Sequence, residues 1–174
     1  MSLLPFLHFF CFSVYMILAV YVLAKNAKSL LNRVCSVLFT SFGIWSFGSI
    51  FLHSPRTARD AAYLFENIAA LGWGSFPVIF LWFVLIFTKR ARILGSKLFY
   101  AAIAVLPVLF IYKQWSGLII GDYVFRSYGW SGVWSSSPWA YLYFVYYSLF
   151  CGMGLYFLTK YSQHIDSPII QKRI

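Results

Sequence analysis

Five stretches of this sequence are apolar for about 18 residues or more and almost free of charge, the length a helix needs to cross a hydrocarbon layer. They cover residues 3–23, 30–52, 61–88, 93–112 and 139–158. A chain of 174 residues that is 61% hydrophobic and 10% charged cannot bury so much apolar surface in one soluble core. The bilayer must be the solvent for most of it. The expected fold is therefore all-α, a polytopic bundle of five transmembrane helices forming one membrane domain over residues 1–174. The third run is long enough to tilt or to project beyond the bilayer. The first has no basic segment before its long apolar run, so it reads as a span rather than a cleaved signal. There is no internal repeat and no low-complexity tract.

A net charge of +10 invites a nucleic-acid reading, but the placement of the charges excludes it. Lys25, Lys28, Arg33, Lys89, Arg90, Arg92, Lys97, Lys160, Lys172 and Arg173 fall on one side of the expected membrane. Arg56, Arg59, Lys113 and Arg126 fall on the other. Ten against four is the positive-inside pattern, which places the N-terminus outside and the C-terminus in the cytoplasm. The basic loops can also touch anionic lipid headgroups, so the bilayer is the first partner expected.

Cys11, Cys35 and Cys151 all lie in or beside apolar spans and read as small packing residues rather than a disulfide pair. There is no P-loop, no dinucleotide-binding glycine pattern, no zincin helix and no cysteine pair at metal spacing. The four acids are scattered, and His8, His53 and His164 belong to different segments. No catalytic residue, cofactor or metal site is expected in this chain.

Several helix starts carry their own chemistry. Thr57 to Asp60, "TARD", has the spacing of a capping box and should open the third span. Ser137 and Pro138 should cap and start the fifth. Ser167 and Pro168 repeat that pattern, and the expectation is a chain cut at the foot of a sixth span. The longest connection lies between spans four and five. It holds two apolar segments, 118–120 and 123–125, around Gly121-Asp122, which suits a type II′ hairpin turn. Arg126, Tyr128, Trp130 and Trp134 follow among glycines and serines. That composition is too aromatic for disorder and predicts an ordered exterior lid.

The third span contains "LFENIAALGWGSFP", residues 64–77, whose contents a plain anchor does not need. Glu66 is the one acid well inside an apolar run, where ionisable groups are costly and are candidates for function. It either lines a ligand or proton pocket or is satisfied near the headgroups by Arg56, Arg59 or interface water. Gly72 and Gly74 allow a neighbouring helix to approach closely. Pro77 removes one backbone bond and can kink the helix, opening a cavity beside the bulky Trp73. Pro107 sits similarly in the fourth span. The candidate ligand-binding residues are Glu66, Trp73, Arg126, Tyr128, Trp130 and Trp134. The candidate hinge and packing positions are Gly72, Gly74, Pro77 and Pro107.

Leu71, Gly72, Trp73, Pro77, Phe83, Phe87, Thr88 and Arg90, in "ALGWGSFPVIFLWFVLIFTKR", resemble the third span of the N-terminal seven-transmembrane sensor region of bacterial histidine kinases. The basic link into a span with a central proline, the loop with Tyr128-Gly129 and the "SPIIQKR" link are also similar. The resemblance implies a multi-pass domain of the cell inner membrane that belongs to a two-component system. It implies an input that detects an exterior or membrane-borne stimulus, such as a small-molecule or peptide ligand, and signals to a cytoplasmic kinase. It also implies a homodimer through the full-length protein, and it departs from the family in showing five spans rather than seven. A transporter or channel component and a non-catalytic structural subunit remain alternatives.

Overall fold

A computed structural model describes residues 3–165. Its element order is α1 (Leu4–Lys25), α2 (Leu30–Leu52), α3 (Arg59–Phe87), α4 (Ala91–Leu94), α5 (Lys97–Trp115), β1 (Ile120–Arg126), β2 (Gly129–Trp134) and α6 (Pro138–Ile165). Among the described residues, α1, α2, α3, α5 and α6 are long and apolar enough to cross a membrane. The all-α polytopic bundle expected from the five apolar runs is thus present. The span expected at 93–112 starts later, at Lys97, because Gly95 and Ser96 separate the single turn of α4 from α5. The segment at 167–173, with its expected helix start, lies outside the described residues.

The connections follow from local hydrogen bonding. Asn26 turns the chain after α1, its Oδ1 accepting the backbone N–H of Lys28 and Ser29. Ser29 then caps α2 by accepting from the Asn32 N–H at 3.4 Å. The capping box expected at Thr57 does not form. Helix α3 begins one residue later, with Ala58 at the cap and no side-chain cap bond. The Thr57 hydroxyl instead donates to the Phe51 carbonyl at 2.7 Å, joining the Ser54 N–H on that acceptor at the end of α2. Ser137 and Pro138 do start α6, the Ser137 hydroxyl oxygen accepting from the Trp139 N–H.

The exterior-loop hairpin exists, but its turn is not at Gly121-Asp122. Residues 120 to 126 form one strand, and the chain reverses at Ser127-Tyr128, with Arg126 opposite Gly129. Ile120 pairs with Trp134 and Asp122 with Val133, so Gly121 is the extra residue of a bulge. The physical reason lies at the tip. Gly129 has φ +114°, and its bare Cα rests against the backbone of His53, a place no side chain can occupy.

Helix α3 is the axis of the bundle. It packs on α2, α5 and α6 and touches β1, whereas α1 packs on α2. Its contact with α2 is a reciprocal small-residue seam: Gly48 lies against Phe65 O and Ala69, and Gly72 lies against Ser41 O and Trp45 N. In lipid, where tails are as apolar as leucine, such close backbone packing supplies the association that hydrophobic burial cannot. At the far end of α3, Lys89 adopts φ +56° and the Arg90 N–H reaches back to Leu85 O, a Schellman closure. The Arg90 guanidinium then lies 5.4 Å from the Phe157 ring centroid of α6.

Candidate functional site

Glu66 and Trp73 are seven residues apart on α3, two turns along one face. Both are buried, and the Trp73 indole N–H donates to Glu66 Oε1 at 3.0 Å. The other carboxylate oxygen, Oε2, has no hydrogen-bond partner among the described residues. The two side chains border a cavity of about 270 Å³. Trp45 of α2 forms one wall, and Tyr143, Phe144 and Tyr147 of α6 form the opposite one. Ile120 and Trp134, at the open end of the hairpin, close it from above. No lysine or arginine lines it. One turn further from the hairpin, Phe76 of α3 makes tilted ring contacts with Phe42 of α2 and with Tyr147 of α6.

The lid is tied down at its open end. Gln114, buried at the end of α5, accepts the Ile120 N–H at 2.9 Å. Asp122 accepts from Arg59 Nη2 at 2.5 Å, from the Tyr63 hydroxyl at 3.2 Å and from the Tyr123 N–H at 2.7 Å. The Tyr123 N–H, followed by Arg59, holds the Asp122 carboxyl below its usual range. Burial pushes the Tyr123 hydroxyl well above its ordinary value, so it stays protonated at any physiological pH.

The backbone around Pro77 explains why α6 packs where it does. Proline has no N–H, so the Trp73 carbonyl, four residues earlier, loses its helical donor. The Tyr143 hydroxyl supplies the missing bond, donating to Trp73 O at 3.2 Å. The Tyr146 hydroxyl donates to the next carbonyl, Gly74 O, at 3.1 Å, and the Val78 backbone is a second partner of that hydroxyl. A side chain from α6 is therefore inserted in the hydrogen-bond ladder of α3, a recognised cause of helix distortion. Tyr143 also packs edge-on against the Trp73 ring, centroids 4.9 Å apart. One residue thus lines the cavity and holds the carbonyl that the proline frees.

The candidate residues named from the sequence divide between two places. Glu66, Trp73 and Trp134 meet at the cavity. Trp130 lies at the other end of the hairpin, where its indole donates to Thr57 O at 2.8 Å and its ring packs on Phe125. Tyr128 stands over His53, centroids 6.2 Å apart, and Arg126 is exposed. None of these three lines the cavity. His8 of α1 and His53, the residue just past the end of α2, stack at 5.0 Å. Gly72 faces α2, Gly74 faces Ile111 of α5, and Pro107 is buried in the middle of α5. Trp45, Gln114, Tyr143, Tyr146 and Tyr147 are site residues that nothing in an apolar run singles out. The one available cue is that tyrosines 143, 146 and 147 share a helix face at i, i+3 and i+4.

The family model described as the N-terminal 7TM region of histidine kinase matches residues 7–173. The chain belongs to that family. No curated protein and no solved structure gives a match. As a histidine-kinase 7TM region it is a multi-pass membrane sensory region rather than a catalytic one. Five candidate spans of this 7TM region lie within residues 3–165.

Proposed function

We propose that the Glu66 cavity is the stimulus site of this sensory region and that Pro77 with α6 is its transmission joint. A small molecule enters between α2 and α6 beneath the hairpin lid and contacts Glu66, Trp73 and Trp134. The observation that carries this reading is the double duty of Tyr143, which lines the cavity and bonds the carbonyl freed by Pro77. An occupant that moves the Tyr143 ring must also move its hydroxyl, and with it the register of α6 on α3. It shifts the equilibrium only so far as it binds the two arrangements unequally. Helix α6 then carries the shift towards a cytoplasmic kinase, paired as a homodimer in the inner membrane. The basic-residue asymmetry supports a hairpin that faces outside the cell.

Autophosphorylation of the full-length kinase in native membranes tests the joint. Tyr143→Phe and Pro77→Ala should each change the basal or stimulated level at unchanged membrane abundance. Wild-type output from both variants would reduce the joint to passive packing. The orientation is tested by cysteines placed at Ser131 and Ser162 in a background lacking the native three. An impermeant thiol reagent should label the first and spare the second in intact cells, and the reverse result would invert the topology.

A further inference from the structure

We infer that the cavity selects a lipophilic organic ammonium, an apolar molecule ending in a protonated amine, which reaches it sideways through the bilayer. This deepens the stimulus-site reading and rests on it. The polar capacity left free on the buried side of the cavity is an acceptor. Glu66 is 8% exposed, its Oε1 is taken by the Trp73 indole, and its Oε2 has no partner among the described residues. The buried donors beside it are committed, Trp73 Nε1 to Glu66 and the Tyr143 hydroxyl to Trp73 O, and the indole N–H groups of Trp45 and Trp134, without a partner among the described residues, belong to side chains at the exposed mouth. A buried carboxylate without a counter-cation is costly, and a cation in the occupant offsets that cost.

Apart from Ile120, the remaining walls are the aromatic rings of Trp45, Trp73, Trp134, Tyr143, Phe144 and Tyr147. Aromatic rings around one carboxylate form the surroundings that recognise organic ammonium groups through cation–π attraction. A carboxylate or phosphate head group would meet Glu66 with no lysine or arginine in the lining to offset the repulsion. At about 270 Å³ the cavity falls just below the range of drug-sized sites, roughly 300–1,000 Å³, which suits a compact molecule.

The mouth shows the route. Trp45 is 40% and Phe144 47% exposed, and each lies six or seven residues inside its helix from the hairpin end. At 1.5 Å per residue that depth is about 10 Å, which puts the opening on the lipid-facing flank of two spans. Glu66 lies at the same depth on α3, seven residues after Arg59. An amine that partitions with its chain among the acyl tails and its head near the interface therefore arrives at the level of the carboxylate.

The test uses octylamine, octanol and octanoate, three probes alike in chain and different in head. The protein is held in nanodiscs of zwitterionic phosphatidylcholine, and tryptophan fluorescence is read, since Trp45, Trp73 and Trp134 face the occupant. Octylamine should give a saturable change, octanol a much weaker one and octanoate none. Glu66→Gln should weaken octylamine about tenfold to hundredfold, the loss of one hydrogen bond to a charged group. Glu66→Asp should keep the preference for the amine, and unchanged thermal unfolding should show that both variants are folded. Octanol binding as tightly as octylamine, or octylamine binding indifferent to Glu66→Gln, would overturn the ammonium class and leave the cavity as a binding site. No saturable change with any of the three would overturn both the class and the stimulus-site reading.

Discussion

The two seams that α3 makes with its neighbours are built on opposite principles. Towards α2 it presents backbone: Gly72 lies on Ser41 O and Trp45 N, and Gly48 of α2 returns the contact on Phe65 O. Towards α6 it presents rings and two backbone carbonyls, one of them freed by Pro77, met by Tyr143 and Tyr146, with a cavity left between. Backbone against backbone leaves no side chain to rotate, so the α2 seam has one arrangement. Tyrosine hydroxyls can exchange acceptors with little change in packing, so the α6 seam can have two. A sensor needs both, a fixed frame to measure against and one joint that gives.

The sharpest way to break this contrast is at the frame. Gly72→Val drives a side chain into the Ser41 carbonyl and the Trp45 amide, and should cost roughly 3 kcal/mol or more. Thermal unfolding in detergent, followed by helical circular dichroism, reads this directly. A variant that melts with the wild type would mean that the α2 seam is as yielding as the other. Gly48→Val should behave in the same way.

The joint should respond more mildly and with a particular coupling. Tyr143→Phe removes a bond to a carbonyl that has no helical donor, and should cost about 1 kcal/mol. Pro77→Ala restores an N–H that can reach that carbonyl. In the Pro77→Ala background Tyr143→Phe should therefore cost less, by roughly 0.5–1 kcal/mol in a double-mutant cycle. Strict additivity would separate the tyrosine from the proline.

Gly74 is the useful control, two residues from Gly72 but turned to α5. An added methyl there meets only the Ile111 side chain, at 3.1 Å, and a flexible side chain can yield. Gly74→Ala should cost under about 1 kcal/mol. A loss matching that of Gly72→Val would show that the frame extends to α5.

The smallest effect concerns the lid. The folded Asp122 carboxyl is held below its ordinary value near about 3.9. A carboxyl depressed on folding stabilises above its unfolded value, and that contribution is lost as pH falls through the folded one. The Arg59 tie should then hold from neutral pH to about 4 and open below. Because both side chains are 55% exposed, salt should weaken it. Limited proteolysis between Ser127 and Ser136 against pH reads the opening, and cleavage that rises already near neutral pH would refute it.

What the sequence determines here is what depends on neighbours along the chain. Five spans are visible because the length and apolarity of a run are local properties. Glu66 stands out for the same reason, as a charge in such a run, and Pro77 because a proline always removes its own N–H. The start of α3 and the turn of the hairpin were misplaced by local rules because distant groups compete for them. Thr57 donates to the carbonyl of Phe51 at the end of α2, and Gly129 is required where the tip meets His53. The tertiary structure alone decides who answers the carbonyl that Pro77 frees and the one beside it. Tyr143 and Tyr146 are 70 and 72 residues from their acceptors, and in an apolar run they look like any other aromatic facing lipid. A hydrogen bond needs two partners in reach, and when one lies on another helix only the packing brings them together.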